Sequence, residues 1–173
     1  GWAVRLDYYD ELEISNVEIS ENLAKGFYLR FCDRMTITNL NIKGLVDRAI
    51  STEDCVSSHI STVKISSCAP TTNAAMIWLD GDYGNFSQIE ISDITSTNAV
   101  TGIYVQGSYS EFEDILIKDV AGDNVVNVVY GIDVNRAGCM FSNVIIRNVD
   151  NTNTAAAQSG FHTRSSADSC GIA

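Results

Sequence analysis

The chain has 173 residues, 45% of them hydrophobic, which supplies enough apolar content for one packed core, and a single domain over residues 1–173 is expected. Twenty-two acidic against eleven basic residues leave a formal net charge of -11, which repels phosphate backbones and anionic membranes and argues against nucleic acid as a partner. No apolar run reaches the roughly 18–20 residues of a membrane-spanning helix and no charged-then-apolar leader opens the chain, so no membrane span is expected and the protein reads as soluble.

Taken in chain order, short strand-like windows alternate in two kinds. GWAVR from Gly1 precedes YDELEISNV (9–17); GFYLR from Gly26 precedes CDRMTITNL (32–40); RAIST from Arg48 precedes ISTVKISSC (60–68). MIWLD from Met76 precedes FSQIEISDI (86–94), GIYVQ from Gly102 precedes FEDILIKDV (112–120), GIDVN from Gly131 precedes FSNVIIRNV (141–149), and GFHTR from Gly160 closes the series before Cys170. The longer windows share the pattern apolar-x-x-apolar-x-apolar-x-(Asn/Asp/Ser)-apolar. Its period of two marks a strand with one buried face. The eighth position carries Asn16, Asn39, Ser67, Asp93, Asp119 and Asn148, residue types that suit a corner. In the shorter windows Trp2, Phe27, Ala49, Ile77, Ile103, Ile132 and Phe161 are read as inward-facing, followed by Val4, Leu29, Ser51, Leu79, Val105, Val134 and Thr163.

Successive windows begin 22 to 29 residues apart, and Leu79 to Phe86, Val105 to Phe112, Val134 to Phe141 and Thr163 to Cys170 are each seven residues. The expected fold is therefore all-β: a right-handed parallel β-helix, or β-solenoid, of about seven coils. Leucine-rich, Trp-Asp and Asn-Gly hairpin signatures are missing, and Pro70 is the single proline in a chain whose strands need their N–H groups. Gly1 opens inside a strand window and Cys170 starts another anchor, so both ends read as uncapped. That pattern suits a section of a longer helix, or one whose ends other chains cover. Cys32, Cys68 and Cys170 occupy apolar repeat positions and are read as buried free thiols; Cys55 and Cys139 fall in connecting segments, where a disulfide is the alternative.

Residues between the inward positions of the shorter windows form two outward columns. The first reads Ala3, Tyr28, Ile50, Trp78, Tyr104, Asp133, His162, and the second Arg5, Arg30, Thr52, Asp80, Gln106, Asn135, Arg164. Aromatic faces flanked by hydrogen-bonding groups suit sugar rings, so Tyr28, Arg30, Trp78, Tyr104, Gln106, Asn135, His162 and Arg164 are candidate substrate-binding residues. The alternative is that loops or a neighbouring subunit cover these aromatics. Asp80 and Asp133, two coils apart with an axial offset of about 10 Å, are the candidate catalytic carboxylates, near the separation of inverting glycosidases. Asp82, Glu111 and Glu113 are possible substitutes. A lyase or epimerase would instead need a base such as Tyr28 or His162 beside Arg30 or Arg164. His59 is read as a packing or capping residue. No cofactor or metal motif is present; calcium is possible at Glu53 with Asp54 or at Asp80 with Asp82.

These windows resemble the pectate-lyase-like right-handed β-helix superfamily over nearly the whole chain, from Gly1 to Cys170, and most resemble a segment of a bacteriophage tailspike depolymerase. The polygalacturonase pattern of Asn-Thr-Asp, paired Asp, Gly-His-Gly and Arg-Ile-Lys is absent, as is the Asp-Pro-His signature of alginate epimerases. The resemblance implies an extracellular, secreted or virion-surface protein that binds and cleaves a polysaccharide, with a homotrimer or further chain segments continuing the helix. A non-catalytic structural or adhesive shaft is the other class of function.

Overall fold

The structure, a computed structural model, describes residues 1–20, 25–122, 128–151, 158–164 and 170–172. Its strands are β1 (Trp2–Asp7), β2 (Glu13–Ser20), β3 (Lys25–Arg30), β4 (Thr36–Lys43), β5 (Ile50–Glu53), β6 (His59–Ser66) and β7 (Ala74–Leu79). They continue as β8 (Asn85–Ser96), β9 (Val100–Val105), β10 (Glu111–Gly122), β11 (Val129–Val134), β12 (Met140–Asn151), β13 (Gln158–Thr163) and β14 (Gly171–Ile172). All pairing is parallel. Odd-numbered strands stack in order into one seven-stranded sheet and even-numbered strands into a second, so each turn of chain adds one strand to each. This is a right-handed parallel β-helix.

Superposition of the coils places like residues over like. Ile19, Ile42, Ile65, Ile91, Ile117 and Ile146 form one inward file through six strands of the second sheet. β-Branched side chains hold one χ1 rotamer and pack well on a pleated surface, so identical residues nest along the axis. A parallel file runs Ile37, Ile60, Phe86, Phe112, Phe141. Its phenylalanine rings stack at 4.9 and 4.5 Å, close to the strand spacing itself.

The corners follow a rule of five. Ser57, Thr62 and Ser67 have positive φ, as do Tyr83, Gln88 and Asp93, then Tyr109, Asp114 and Asp119, then Gly138, Asn143 and Asn148. Each left-handed residue turns the chain and starts a four-residue stretch that again points one or two apolar side chains inward. Asn and Asp tolerate this conformation best, and they also bond up the column: Asn39 Nδ2 donates to Asn16 Oδ1 (2.6 Å) and Asn148 Nδ2 to Asp119 Oδ1 (2.7 Å). At Gly138 the absent Cβ matters as well, since one would sit 2.5 Å from the Tyr109 ring.

The register departs from the sequence pattern in two places. In the first two coils the second strand lies five residues later than the shared pattern predicts, because Ile14, Ile37 and Ile60 share one level and so do Val17, Leu40 and Val63. Asn16 and Asn39 therefore belong to the corner of Thr62 and Gln88, whereas Ser67, Asp93, Asp119 and Asn148 form the next corner. The apolar-x-apolar pattern recurs after five residues in these coils, so both alignments satisfy it. In the first sheet Val4 and not Trp2 pairs with Phe27, and Ile50 and not Ala49 pairs with Phe27 and Ile77. The backbone bends there and buries two successive residues, Gly26 with Phe27, Ala49 with Ile50 and Met76 with Ile77. A strict period of two cannot express that bend.

All five cysteines are free; Cys32, Cys55, Cys68 and Cys139 are buried and Cys170 is half-buried. Burial pushes the Cys55 and Cys139 thiols up to about 11.

Ile65, with 0% exposure, lies mid-file, so Ile65→Ala is expected to cost about 2–5 kcal/mol, read from the urea midpoint at unchanged m-value. Thr62 is a β-branched residue held at φ 55°. Thr62→Asn is expected to raise stability by about 0.5–1 kcal/mol in the same assay, because the left-handed conformation suits Asn better.

Candidate functional site

The outer face of the first sheet carries three files of side chains. The central one runs Arg5, Tyr28, Ser51, Trp78, Tyr104, Asp133, His162 in register. Arg5 and Ser51 thus replace the expected Ala3 and Ile50, and Ile50 is buried at 0% exposure. The second file begins with Asp7, Arg30 and Glu53 where Arg5 and Thr52 were expected beside Arg30. It continues through Asp80, Gln106, Asn135 and Arg164: the amides of Gln106, Asn135 and Arg164 donate to the carbonyls of Leu79, Val105 and Val134 at 2.7, 2.9 and 2.9 Å.

A third file was not read from the sequence. Ala75, Thr101, Tyr130 and Ser159 share a register, and Arg48 joins the first three in lining one cleft. The bend explains both the file and the omission. Two successive residues turn inward, so the residue before them faces outward again. The signal in the sequence is a polar or aromatic residue immediately before the small residue of each window, as in Lys25-Gly26, Thr101-Gly102, Tyr130-Gly131 and Ser159-Gly160.

Within this face the side chains form three groups. At the top, Tyr28 stacks on Trp2 at 5.2 Å, its hydroxyl donates to Glu53, and Arg30 Nε lies 3.1 Å from Glu53 Oε1. Burial and the Glu53 bond raise the Tyr28 pKa. In the middle, Trp78 and Tyr104 meet at 4.4 Å with their planes tilted by 46°, the Arg48 guanidinium lies 4.6 Å over Trp78, and Asn135 Nδ2 donates to the Tyr104 hydroxyl at 3.2 Å. At the bottom, Asp133 is only 2% exposed and is gripped from the next coil: His162 Nδ1 lies 2.8 Å from Oδ1, and Arg164 reaches both oxygens at 3.2 and 2.6 Å. The His162 ring stacks on Tyr130 at 4.6 Å, and the Arg164 guanidinium lies 5.4 Å from the centre of the Tyr104 ring.

A cleft of about 360 Å³ runs between the middle and bottom groups, lined by Arg48, Trp78, Tyr104, Tyr130, Asp133 and Arg164. An adjoining recess of about 260 Å³ shares Arg48 and Trp78 and adds Tyr28, Glu53, Asp80 and Gln106. The two make one groove along the flank. Asp80 lines this recess and another of about 440 Å³ with Asp54, Asp82 and Arg136, while Asp133 lines the cleft. The two carboxylates therefore line different parts of the groove, Asp80 the recess and Asp133 the cleft. Burial raises the Asp80 pKa, helped by the charges of Asp54 and Glu53, which suits an acid. Asp133 has both oxygens engaged, Oδ1 by His162 and Arg164 and Oδ2 by Arg164.

Glu111 and Glu113 lie on β10 in the other sheet, where they line a separate recess of about 280 Å³ with Phe112 and Phe141. His59 opens β6 with its amide bonded to the Met35 carbonyl at 2.7 Å. Of the carboxylates weighed for calcium, Glu53 is engaged by Tyr28 and Arg30, and Asp82 accepts the Ser108 amide at 2.7 Å. Among the described residues no group of three or more His, Cys, Asp or Glu side chains gathers as a metal site, and no helix is long and apolar enough to cross a membrane.

The fold and this flank define a parallel β-helix with an aromatic, charge-lined groove. No family model, no curated protein and no solved structure matches the chain.

Because Asp80 has its pKa raised, its ionised form destabilises the fold once pH exceeds that raised value, and the penalty vanishes below the ordinary carboxylate range, near 4. Asp80→Asn is therefore expected to raise the Tm at pH 7 and to lose that advantage as the pH is lowered towards 4, followed by thermal melts across pH.

Proposed function

We propose that this protein binds and cleaves an extracellular or cell-surface polysaccharide along the groove of its first sheet. The observation that carries the reading is the groove itself: Trp78, Tyr104 and Tyr130 with a guanidinium at each end, on a flank built from strands. Aromatic faces stack on sugar rings, and Arg30, Gln106, Asn135 and Arg164 offer donors and acceptors for hydroxyls. A site held on strands is preorganised, so little ordering is required on binding.

Proton transfer is assigned to His162, which Asp133 holds through Nδ1 so that Nε2 is the remaining polar atom of the ring. Arg164 beside it would stabilise an oxyanion. Asp80, its pKa raised, serves as the acid in the adjoining recess. The likeness of the coil pattern to pectate-lyase-like helices and tailspike depolymerases supports the reading, and with it go an extracellular or virion-surface location and trimeric assembly. A second reading is a non-catalytic shaft. It draws on the fact that Trp78, Tyr104, Asp133 and Arg164 already satisfy one another within the chain.

A panel of neutral and acidic polysaccharides, assayed for new reducing ends and for unsaturated products, tests this directly. Cleavage of at least one member, falling about 100-fold or more in His162→Gln at a temperature where both proteins are folded, is the expected result. Neither binding nor cleavage across the panel would leave the shaft as the surviving reading.

A further inference from the structure

Eleven lysines and arginines face twenty-two acidic residues in this chain, so an unpaired cation is unusual. Eight of the eleven lie within 4 Å of a carboxylate: Arg5, Lys25, Arg30, Arg34, Lys43, Lys64, Lys118 and Arg164. Of the other three, Arg136 and Arg147 are exposed to solvent. Arg48 is not. It is half-buried, burial lowers its pKa, and its Nε is shielded from solvent without a hydrogen-bond partner.

What Arg48 does have accounts for one face of the guanidinium and little of its edge. The Trp78 ring covers the face at 4.6 Å, and Ser51 Oγ lies 3.5 Å from Nη1, at the limit of a hydrogen bond. The neighbouring Asp47 carboxylate is turned to other partners, accepting the Arg48 backbone amide at 2.9 Å and lying 3.3 Å from Lys25 Nζ. A guanidinium carries five N–H donors in a planar fork that matches two oxygens of one anion. Arg48 also lines both halves of the groove, so a bound chain passes it wherever it lies.

We infer that Arg48, resting on Trp78, is an anion subsite that takes a carboxylate or sulfate group of the bound glycan. This deepens the polysaccharide reading above and rests on it. The groups around the subsite restrict where the anion sits. Glu53, Asp54 and Asp80 line the adjoining recess and repel it there, whereas the cleft side offers Arg164 together with Asp133, which balance. The anion therefore enters from the Tyr104 side, with one charge held at Arg48.

The test uses purified wild type, Arg48→Gln and Arg48→Lys, matched by melting temperature, with three probes in calorimetric titration. These are polygalacturonate oligosaccharides, their fully methyl-esterified counterparts, and a sulfated galactan oligosaccharide. Wild type is expected to bind at least one anionic probe about ten-fold or more tightly than the methyl ester, with Arg48→Gln erasing that difference. Arg48→Lys should restore only part of it, and the preferred anionic probe tells carboxylate from sulfate. Equal affinity for esterified and anionic probes in wild type, or a preference that survives Arg48→Gln, overturns the subsite while leaving glycan binding standing. Failure of all three probes, with neutral polysaccharides bound elsewhere on the panel, also overturns it; failure on every glycan removes the polysaccharide reading as well.

Discussion

Everything in this molecule depends on one constraint: successive coils superpose in parallel register, so that the strands find their hydrogen-bond partners in the coils beside them. That register is maintained at the corners. A left-handed residue every five positions lets the chain turn without leaving its level, and the conformation costs roughly 1–2 kcal/mol for most L-residues. Asn and Asp lower that cost, and their amide and carboxylate groups bond from coil to coil, as Asn148 does to Asp119. Tyr83, Gln88 and Tyr109 occupy the same kind of corner without that local advantage. Their strain is carried by the ladder on either side, which leaves the chain no freedom to relax one corner alone.

The same stacking has opposite consequences inside and outside. In the interior like stacks on like, and six isoleucines in file or three phenylalanines in contact need only shape to agree. On the outer flank of the first sheet unlike residues are stacked at the same spacing. Cations come to rest over rings, as Arg48 does over Trp78 and Lys25 over Trp2 at 5.0 Å, and carboxylates fall beside cations, as Glu53 does beside Arg30 and Asp133 beside Arg164. A strand spacing near 4.8 Å is close to ring-stacking and cation–π distances, so the fold's own period builds these contacts.

How far the sequence revealed this follows from how distinctive each pattern is. From Met76 onward the shorter windows carry the sequence of files seen in the structure, because Ile77, Ile103 and Ile132 sit beside Trp78, Tyr104 and Asp133 with no competing alternation. Higher up the helix RAIST offers two adjacent apolar residues, and either fits a period of two; the coil above determines that Ile50 meets Phe27. The first two corners slipped by five because the pattern itself repeats after five. Arg48 and Tyr130 escaped notice for a different reason. A bend that buries two residues in a row reverses the parity of everything before it, and no local pattern records a bend made by neighbouring coils. For Asp133 the columns already placed His162 next in file and Arg164 in the neighbouring column, 29 and 31 residues away, but column positions do not specify which side-chain atoms bond.

Asp133 shows why the flank is better described as a joint property of coils than as a set of residues. Its carboxylate is almost fully buried, and an ionised carboxylate so placed is destabilising unless opposite charge and hydrogen bonds surround it. Both are supplied by β13 and the residue that follows it. The ring that Asp133 orients stacks in turn on Tyr130, in the strand of Asp133 itself, so two coils interlock through four side chains. Moving one coil by a single residue would strand the carboxylate, turn His162 towards the core and place an apolar residue on the groove. Register, burial of charge and presentation of the groove are thus one condition, and a sequence that satisfied the core while violating the flank would pay for it at Asp133.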